Sequence, residues 1–193
     1  MIKKTEEGKK GRSVMKEVLS DVVVALLIAV AVLCVIRPTV VKQTSMENTL
    51  KDGDYLILYK LAYKIHGPER GDIIVFSSDA YNELNGDKRL LIKRVIGLPG
   101  DAISISEDDQ LYINGKVYHE EYLKEGTTPI VDVPAPGRTY VVPKDCYFCM
   151  GDNRGGSVDS RSNDVGPVKK ESIKGKIILR LFPLSKIGRL GGK

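Results

Sequence analysis

Arg89-Leu90-Leu91-Ile92-Lys93-Arg94-Val95-Ile96-Gly97-Leu98-Pro99-Gly100-Asp101 reads as an apolar strand with a lysine at its middle and a tight turn behind it. Side chains alternate along a strand, so Lys93 shares its face with Leu91 and Val95, while Leu90, Ile92, Arg94 and Ile96 take the other. Apolar company strips water from an ammonium and favours the neutral amine, which near a serine hydroxyl can accept its proton and create a nucleophile. Taken alone, the strand fits an ordinary edge lysine that guards a sheet against strand addition. The remainder of the chain reverses that balance.

Outward from this strand the pattern is mainly β. Gly-Asp recurs as a turn that launches a strand: Gly53-Asp54 before Tyr55 to Tyr59, Gly71-Asp72 before Ile73 to Phe76, and Gly100-Asp101 before Ala102 to Ile105. Asn114-Gly115 between Leu111-Tyr112-Ile113 and Lys116-Val117-Tyr118 is a two-residue hairpin signal. Further strands are expected at 139–142, 146–150 and 176–182, with a polar loop at 77–88 and an irregular, proline-bearing excursion at 120–137. No internal repeat and no second long helix are evident. The soluble part is expected to be a coiled β-sheet.

The N-terminal part differs. From Val18 to Ile36 the only polar side chains are Ser20 and Asp21. Such a run rises about 28 Å as a helix, enough to cross a hydrocarbon layer of about 30 Å. Lys3, Lys4, Lys9, Lys10, Arg12 and Lys16 precede it, opposed only by Glu6, Glu7 and Glu17. This asymmetry predicts a single-pass anchor in the cell membrane over 18–37, a cytoplasmic basic tail over 1–17, and an extracytoplasmic domain over 38–193. A cleaved leader would need small residues before the cut, which Val35-Ile36-Arg37-Pro38 does not offer, and Leu33 before Cys34 does not suit a lipoprotein site. Proline at 38 is expected to end the helix.

A net charge of +5 could suggest nucleic acid, but the excess lies before the apolar run, and no nucleic-acid motif or aromatic platform accompanies it. Cys146-Tyr147-Phe148-Cys149 has redox spacing on what reads as a strand, which sends the two sulfurs to opposite faces. His66 and His119 are isolated, so neither a metal nor another cofactor is expected.

Gly151-Asp152-Asn153-Arg154-Gly155-Gly156-Ser157-Val158-Asp159-Ser160-Arg161-Ser162-Asn163-Asp164 resembles a calcium loop in acidity only, since Arg154 occupies a ligand position and no glutamate closes it. Neither Gly100 nor Gly156 opens a phosphate loop. What the stretch supplies is a dense set of donors and acceptors able to fix a turn and orient a neighbour.

Four blocks in order, Ser45 to Leu50, Gly71 to Phe76, Lys93 to Asp101 and Gly151 to Arg161, resemble the boxes of bacterial type I signal peptidases. With the anchor they extend over the chain. The resemblance implies a membrane-anchored serine endopeptidase that removes signal peptides from exported preproteins after an Ala-X-Ala-like motif. It further implies a mainly β peptidase domain with a smaller β insertion, at about 105–145 here. By matching position, Ser45 is the nucleophile and Lys93 the general base of a Ser/Lys dyad. Ser157 is the serine that hydrogen-bonds the base, and Asp159 and Arg161 are a pair that orders the loop. Gln43 stands where some relatives place a serine that binds the oxyanion, and its amide can donate in that role. Asn48 replaces a usual proline, so the backbone after the nucleophile is expected to be less fixed. The implied partners are preproteins and the lipid bilayer, with no nucleic acid and no obligate protein partner.

Self-cleaving repressors also use Ser and Lys but carry a DNA-binding module where this chain has its apolar span. The alternative from another class is a membrane-tethered β module that binds exported peptides without cutting them, for which Asn48 and Gln43 are the best signs.

Overall fold

The computed structural model describes residues 3–81, 88–123 and 126–190. The chain divides into two compact units, Met1–Arg37 and Pro38–Lys193. The first is dominated by one helix, α1 (Lys3–Val35). Its segment Met15–Val35 is long and apolar enough to cross a membrane, and none of it is buried. An apolar helix of this length left unburied is compatible with a membrane anchor. The helix ends at Val35, ahead of the proline expected to end it. A residue before proline is pushed toward extended geometry, so Arg37 already belongs to strand β1 (Ile36–Val40). Proline is tolerated there because β1 is the terminal strand of its sheet.

The second unit is built of antiparallel sheet. Its strands are β2 (Tyr55–Tyr59), β3 (Ile73–Tyr81), β4 (Lys88–Gly97), β5 (Ala102–Ile105), β6 (Leu111–Ile113), β7 (Lys116–Val117), β8 (Tyr140–Val141), β9 (Cys146–Met150), β10 (Val168–Lys169), β11 (Ile173–Phe182) and β12 (Gly188–Arg189). The larger sheet runs β1-β2-β11-β3-β4-β9-β10, with β12 on β11, and the smaller runs β7-β6-β5-β8. Register shifts in β11, β3 and β4 bend the larger sheet and raise its twist. The fold is thus mainly β behind an apolar helix, with a small inserted sheet. Helix among the described residues of the second unit is limited to three short 3₁₀ turns.

The loop expected at 77–88 is shorter than its polarity suggested. β3 continues to Tyr81 and β4 begins at Lys88, with Tyr81 paired to Lys88. Polar residues end a strand only when nothing pairs with them; here each arm has the other. Asn82, Asn85, Gly86 and Asp87 lie outside the described residues.

The three Gly-Asp turns share one design. Gly53, Gly71 and Gly100 take φ of 82°, 90° and 87°, the left-handed region that suits glycine. The following aspartate then accepts from the N–H three residues back: Lys51 to Asp54 at 3.0 Å, Glu69 to Asp72 at 3.1 Å, Leu98 to Asp101 at 2.6 Å. Each carboxylate also meets a cation, namely Arg180, Lys176 and Arg70. The Asn114-Gly115 hairpin is present with both residues at positive φ, as a type I′ turn requires.

Three apolar clusters sit on the two sheets. Val41, Met46, Leu50, Leu56, Leu58, Ile73, Val75 and Ile177 form one. A second gathers Ile96, Phe148 and Met150 with Ile103, Ile105, Leu111 and Ile113 of the small sheet, seating the insertion on the larger sheet. The third, with Ile74, Phe76, Leu91, Val95, Tyr147, Cys149 and Val168, occupies the face of β4 that also carries Lys93.

Candidate active site

Lys93 is not an edge residue. β4 lies between β3 and β9, and the Lys93 residue is 1% exposed. Directly across on β3 stands Ile74, and along the strand Leu91 and Val95 share its face, as alternation predicts. Burial among them lowers the Lys93 amine from 10.5 to about 8. Asp159 acts against that shift, and Arg161 adds to it. No ion pair reaches Lys93 among the described residues.

The partner strand completes the geometry. Val95 pairs with Cys149 and Arg94 with Met150, the last residue of β9, so the chain passes into Gly151 directly beside this part of β4. Glycine leaves that place without a side chain. A Cβ built there would overlap Ser157 Oγ and the Ser45 carbonyl oxygen, so both serines occupy the space beside the lysine's strand. Ser45 is buried at 8% exposure and opens the turn 45–49, closed by Thr49 N–H to Met46 O at 2.8 Å and Leu50 N–H to Met46 O at 2.6 Å.

Cross-links hold this turn against the loop after β9. Asn153 N–H donates to Ser45 O at 3.0 Å, Asn153 Nδ2 to Thr44 O at 3.1 Å, and Thr49 Oγ1 to Asp152 Oδ2 at 2.5 Å. Asn48 Nδ2 donates to Asp152 O at 2.8 Å. At Asn48, where a less fixed backbone is expected, this side-chain hydrogen bond ties the turn to the loop. Arg94, on the opposite face from Lys93, grips Asp152 through Nε at 2.9 Å and Nη2 at 2.7 Å.

The loop then folds back along β9. Cys149 N–H donates to Ser160 Oγ at 2.9 Å, and Ser160 N–H returns to Cys149 O at 3.0 Å. Gly151 N–H donates to Asp159 Oδ2 at 3.0 Å. Asp159 and Arg161 form a fully buried pair joined through two hydrogen bonds of 2.9 Å. Burial alone would raise the Asp159 carboxyl, but Arg161, the Gly151 N–H and the nearby Ser157 hold it below its ordinary 3.8. Ser157 Oγ is itself buried and near this carboxylate, but it has no hydrogen-bond partner among the described residues, so the bond to the Lys93 amine that the resemblance implied is not formed in this structure.

Ser45, Lys93, Ser157, Asp159 and Arg161 are thus gathered around Gly151. Gln43 is half-buried just before the turn, and its amide makes no hydrogen bond among the described residues. Sequence reasoning did not single out Arg94, Asp152 or Gly151. Their signal was present, since a buried arginine on a β-strand demands an anion and Asp152 lies in the loop already quoted. Cys146 and Cys149 belong to different clusters on opposite faces of β9, and burial pushes both thiols up. Among the described residues no group of three His, Cys, Asp or Glu side chains could hold a metal ion.

The family model described as signal peptidase, peptidase S26, matches residues 15–182. The chain is 38% identical over 181 residues to signal peptidase I of Bacillus licheniformis, covering 89% of this chain and 93% of the relative. It is 33% identical over 188 residues to signal peptidase IB of Staphylococcus aureus, again covering 89% and 93%. A crystal structure of a signal peptidase I from Enterococcus faecalis aligns over 58% of this chain and 97% of that one, at 34% identity and a TM-score of 0.42.

Proposed function

Because the chain belongs to the signal peptidase family, peptidase S26, and is a serine peptidase of that class, we propose that it cleaves preproteins with Ser45 as nucleophile and Lys93 as general base. The observation that carries this reading is a lysine buried in the middle of a sheet, lowered to about 8, beside a partner strand that runs on into a glycine crowded by Ser157 Oγ and by the carbonyl of buried Ser45. Ordinary structural lysines are solvated or paired. A buried lysine without an ion pair among the described residues has the property a general base needs near neutral pH.

In this mechanism neutral Lys93 takes the Ser45 hydroxyl proton as Oγ attacks the scissile carbonyl carbon. The resulting oxyanion is held by the Ser45 backbone N–H and the Gln43 amide. The Lys93 ammonium then gives its proton to the departing amine, the peptide bond breaks, and an acyl ester on Ser45 remains. Water, deprotonated by Lys93, attacks the ester; the carboxylate product leaves and the Ser45 hydroxyl is restored. The unbonded Ser157 hydroxyl is free to turn to the Lys93 amine during the reaction and orient it, and Asp159 and Arg161 keep the loop in place.

Substrate and location follow from the same reading. Residues 38–40 lie on the terminal strand of the large sheet, where an extended preprotein segment can add as a further strand. On this reading the site accepts alanine one and three residues before the cut, so Phe at both positions should block processing. The apolar segment Met15–Val35 anchors the enzyme in the cell membrane with its catalytic domain outside the cytoplasm.

The test is cleavage of a preprotein by the detergent-solubilised chain, wild type beside Ser45→Ala. Processing by wild type alone supports the enzyme. Equal absence of cleavage in both, with the peptide still bound, would favour the tethered binding module.

A further inference from the structure

The insertion reaches the loop after β9 through side chains that the mechanism above does not use. Resting on the serine-peptidase reading, we infer that Glu120 and Tyr122 are positioning residues of the site. From one stretch of the insertion they hold Arg154 and Arg94, and through these two guanidinium groups the Gly151-Asp152 backbone beside Ser45 and Ser157.

The first arm is a buried ion pair. Arg154 Nη1 donates to Glu120 Oε2 at 2.6 Å and Nη2 to Oε1 at 2.5 Å, with both side chains 3% exposed. Thr128 Oγ1 accepts from Arg154 as well. The planar fork is thereby fixed, and its Nε donates to the Gly151 carbonyl oxygen at 3.0 Å. Asp159 holds the N–H of that same residue. Gly151 is gripped from both sides at the place where a misplacement would shift Ser45 O and Ser157 Oγ.

The second arm is a ring. Tyr122 lies over the Arg94 guanidinium with 3.9 Å from carbon to centroid. That contact covers the face of an arginine whose edge is committed to Asp152, and Asp152 in turn holds Thr49 and Asn48 of the nucleophile turn. The Tyr122 hydroxyl donates to Glu120 Oε1 at 2.5 Å, which joins the arms. Arg161 ties a later part of the insertion, accepting on its carbonyl oxygen from Asp132 and Val133 N–H and donating from Nη1 to Pro129 O. The insertion therefore acts on the reacting groups through backbone placement, and displacements of about 1 Å at such sites cost roughly 100-fold in rate.

The experiment uses the full chain in detergent and a fluorogenic peptide with Ala-X-Ala before the cut, with kcat, KM and Tm measured for each variant well below its melting point. Wild type should cleave and Ser45→Ala should not; failure there removes the peptidase reading itself. Given that control, Glu120→Gln should lower kcat roughly 10- to 100-fold with KM within about 2-fold, and Tm should fall because Arg154 is left buried and unpaired. Glu120→Gln combined with Arg154→Gln should recover Tm but not kcat, since nothing then holds the Gly151 carbonyl. Tyr122→Phe, which keeps the ring over Arg94, should retain far more kcat than Tyr122→Leu. A Glu120→Gln kcat within 2-fold of wild type, or a double variant in which kcat returns together with Tm, would overturn the inference. Equal kcat in the two Tyr122 variants would do the same should Glu120→Gln fail to fold.

Discussion

Asp159 accepts from Arg161 on both carboxylate oxygens, Nε donating to Oδ1 and Nη2 to Oδ2 at 2.9 Å each, and forms no ion pair with Lys93. Two charges are satisfied by each other, which leaves the third buried group free to be neutral. Asp159→Asn should destabilise the folded domain by about 3–5 kcal/mol, because Arg161 is left buried without its anion. Urea unfolding near pH 7 measures this. The wild-type contribution belongs to a depressed carboxyl, so it is present above about pH 4 and lost as pH falls through the lowered value. The gap between wild type and Asp159→Asn should therefore narrow in acid.

Ser157→Ala separates activity from stability. Its hydroxyl is buried without a partner, so removal should leave the urea midpoint unchanged or slightly raised. Cleavage should nonetheless fall, on the order of 10- to 1000-fold, if the hydroxyl orients the Lys93 amine. A large loss of stability in this variant would mean that Ser157 is a structural residue.

Glycine substitutions test the crowding beside Lys93. Gly151→Ala must push Ser157 Oγ or the Ser45 carbonyl aside and should lose both activity and several degrees of Tm. Gly155→Ala meets no atom within 4 Å and should behave as wild type in both assays. Similar behaviour of the two variants would contradict the placement of Ser45 and Ser157 against Gly151.

Membrane orientation is tested with a single thiol. In a background without Cys34, Cys146 and Cys149, Thr5→Cys should resist an impermeant reagent added to intact cells, because the basic tail is read as cytoplasmic. Labelling from outside would reverse the assignment.

What was legible in the sequence, and what was not, divides by range. Local patterns carried far: Tyr55–Tyr59, Ala102–Ile105 and Cys146–Met150 were readable because alternation or apolar runs sit between strong turn signals. β1 was missed because Arg37-Pro38 reads as a stop, and only a neighbouring strand shows that extended geometry continues through it. β10 and β12 are two residues each and exist through their partners alone. At the site, Lys93 announced itself by its apolar neighbours. Glu120 and Tyr122 could not, since what defines them is contact with Arg154 and Arg94, 34 and 28 positions away in the chain. Asn48 looked like a defect until Asp152 O was found at its amide.

The central claim is that Lys93 acts as a base because burial holds it at about 8. Folded Lys93 binds its proton less tightly than unfolded Lys93, so stability rises with pH between about 8 and 10.5, and below 8 the full penalty is present. Lys93→Met should accordingly stabilise the domain at pH 6–7 by up to about 3 kcal/mol while removing activity. Lys93→Arg should also be inactive, because guanidinium stays protonated. The most direct measurement is the pH profile of preprotein cleavage for wild type and Lys93→Met side by side. Wild-type kcat/KM should rise along a single ionisation near 8 and then level, with no turnover in the mutant at any pH; substantial cleavage by Lys93→Met, or a wild-type midpoint near that of free lysine, would contradict the account.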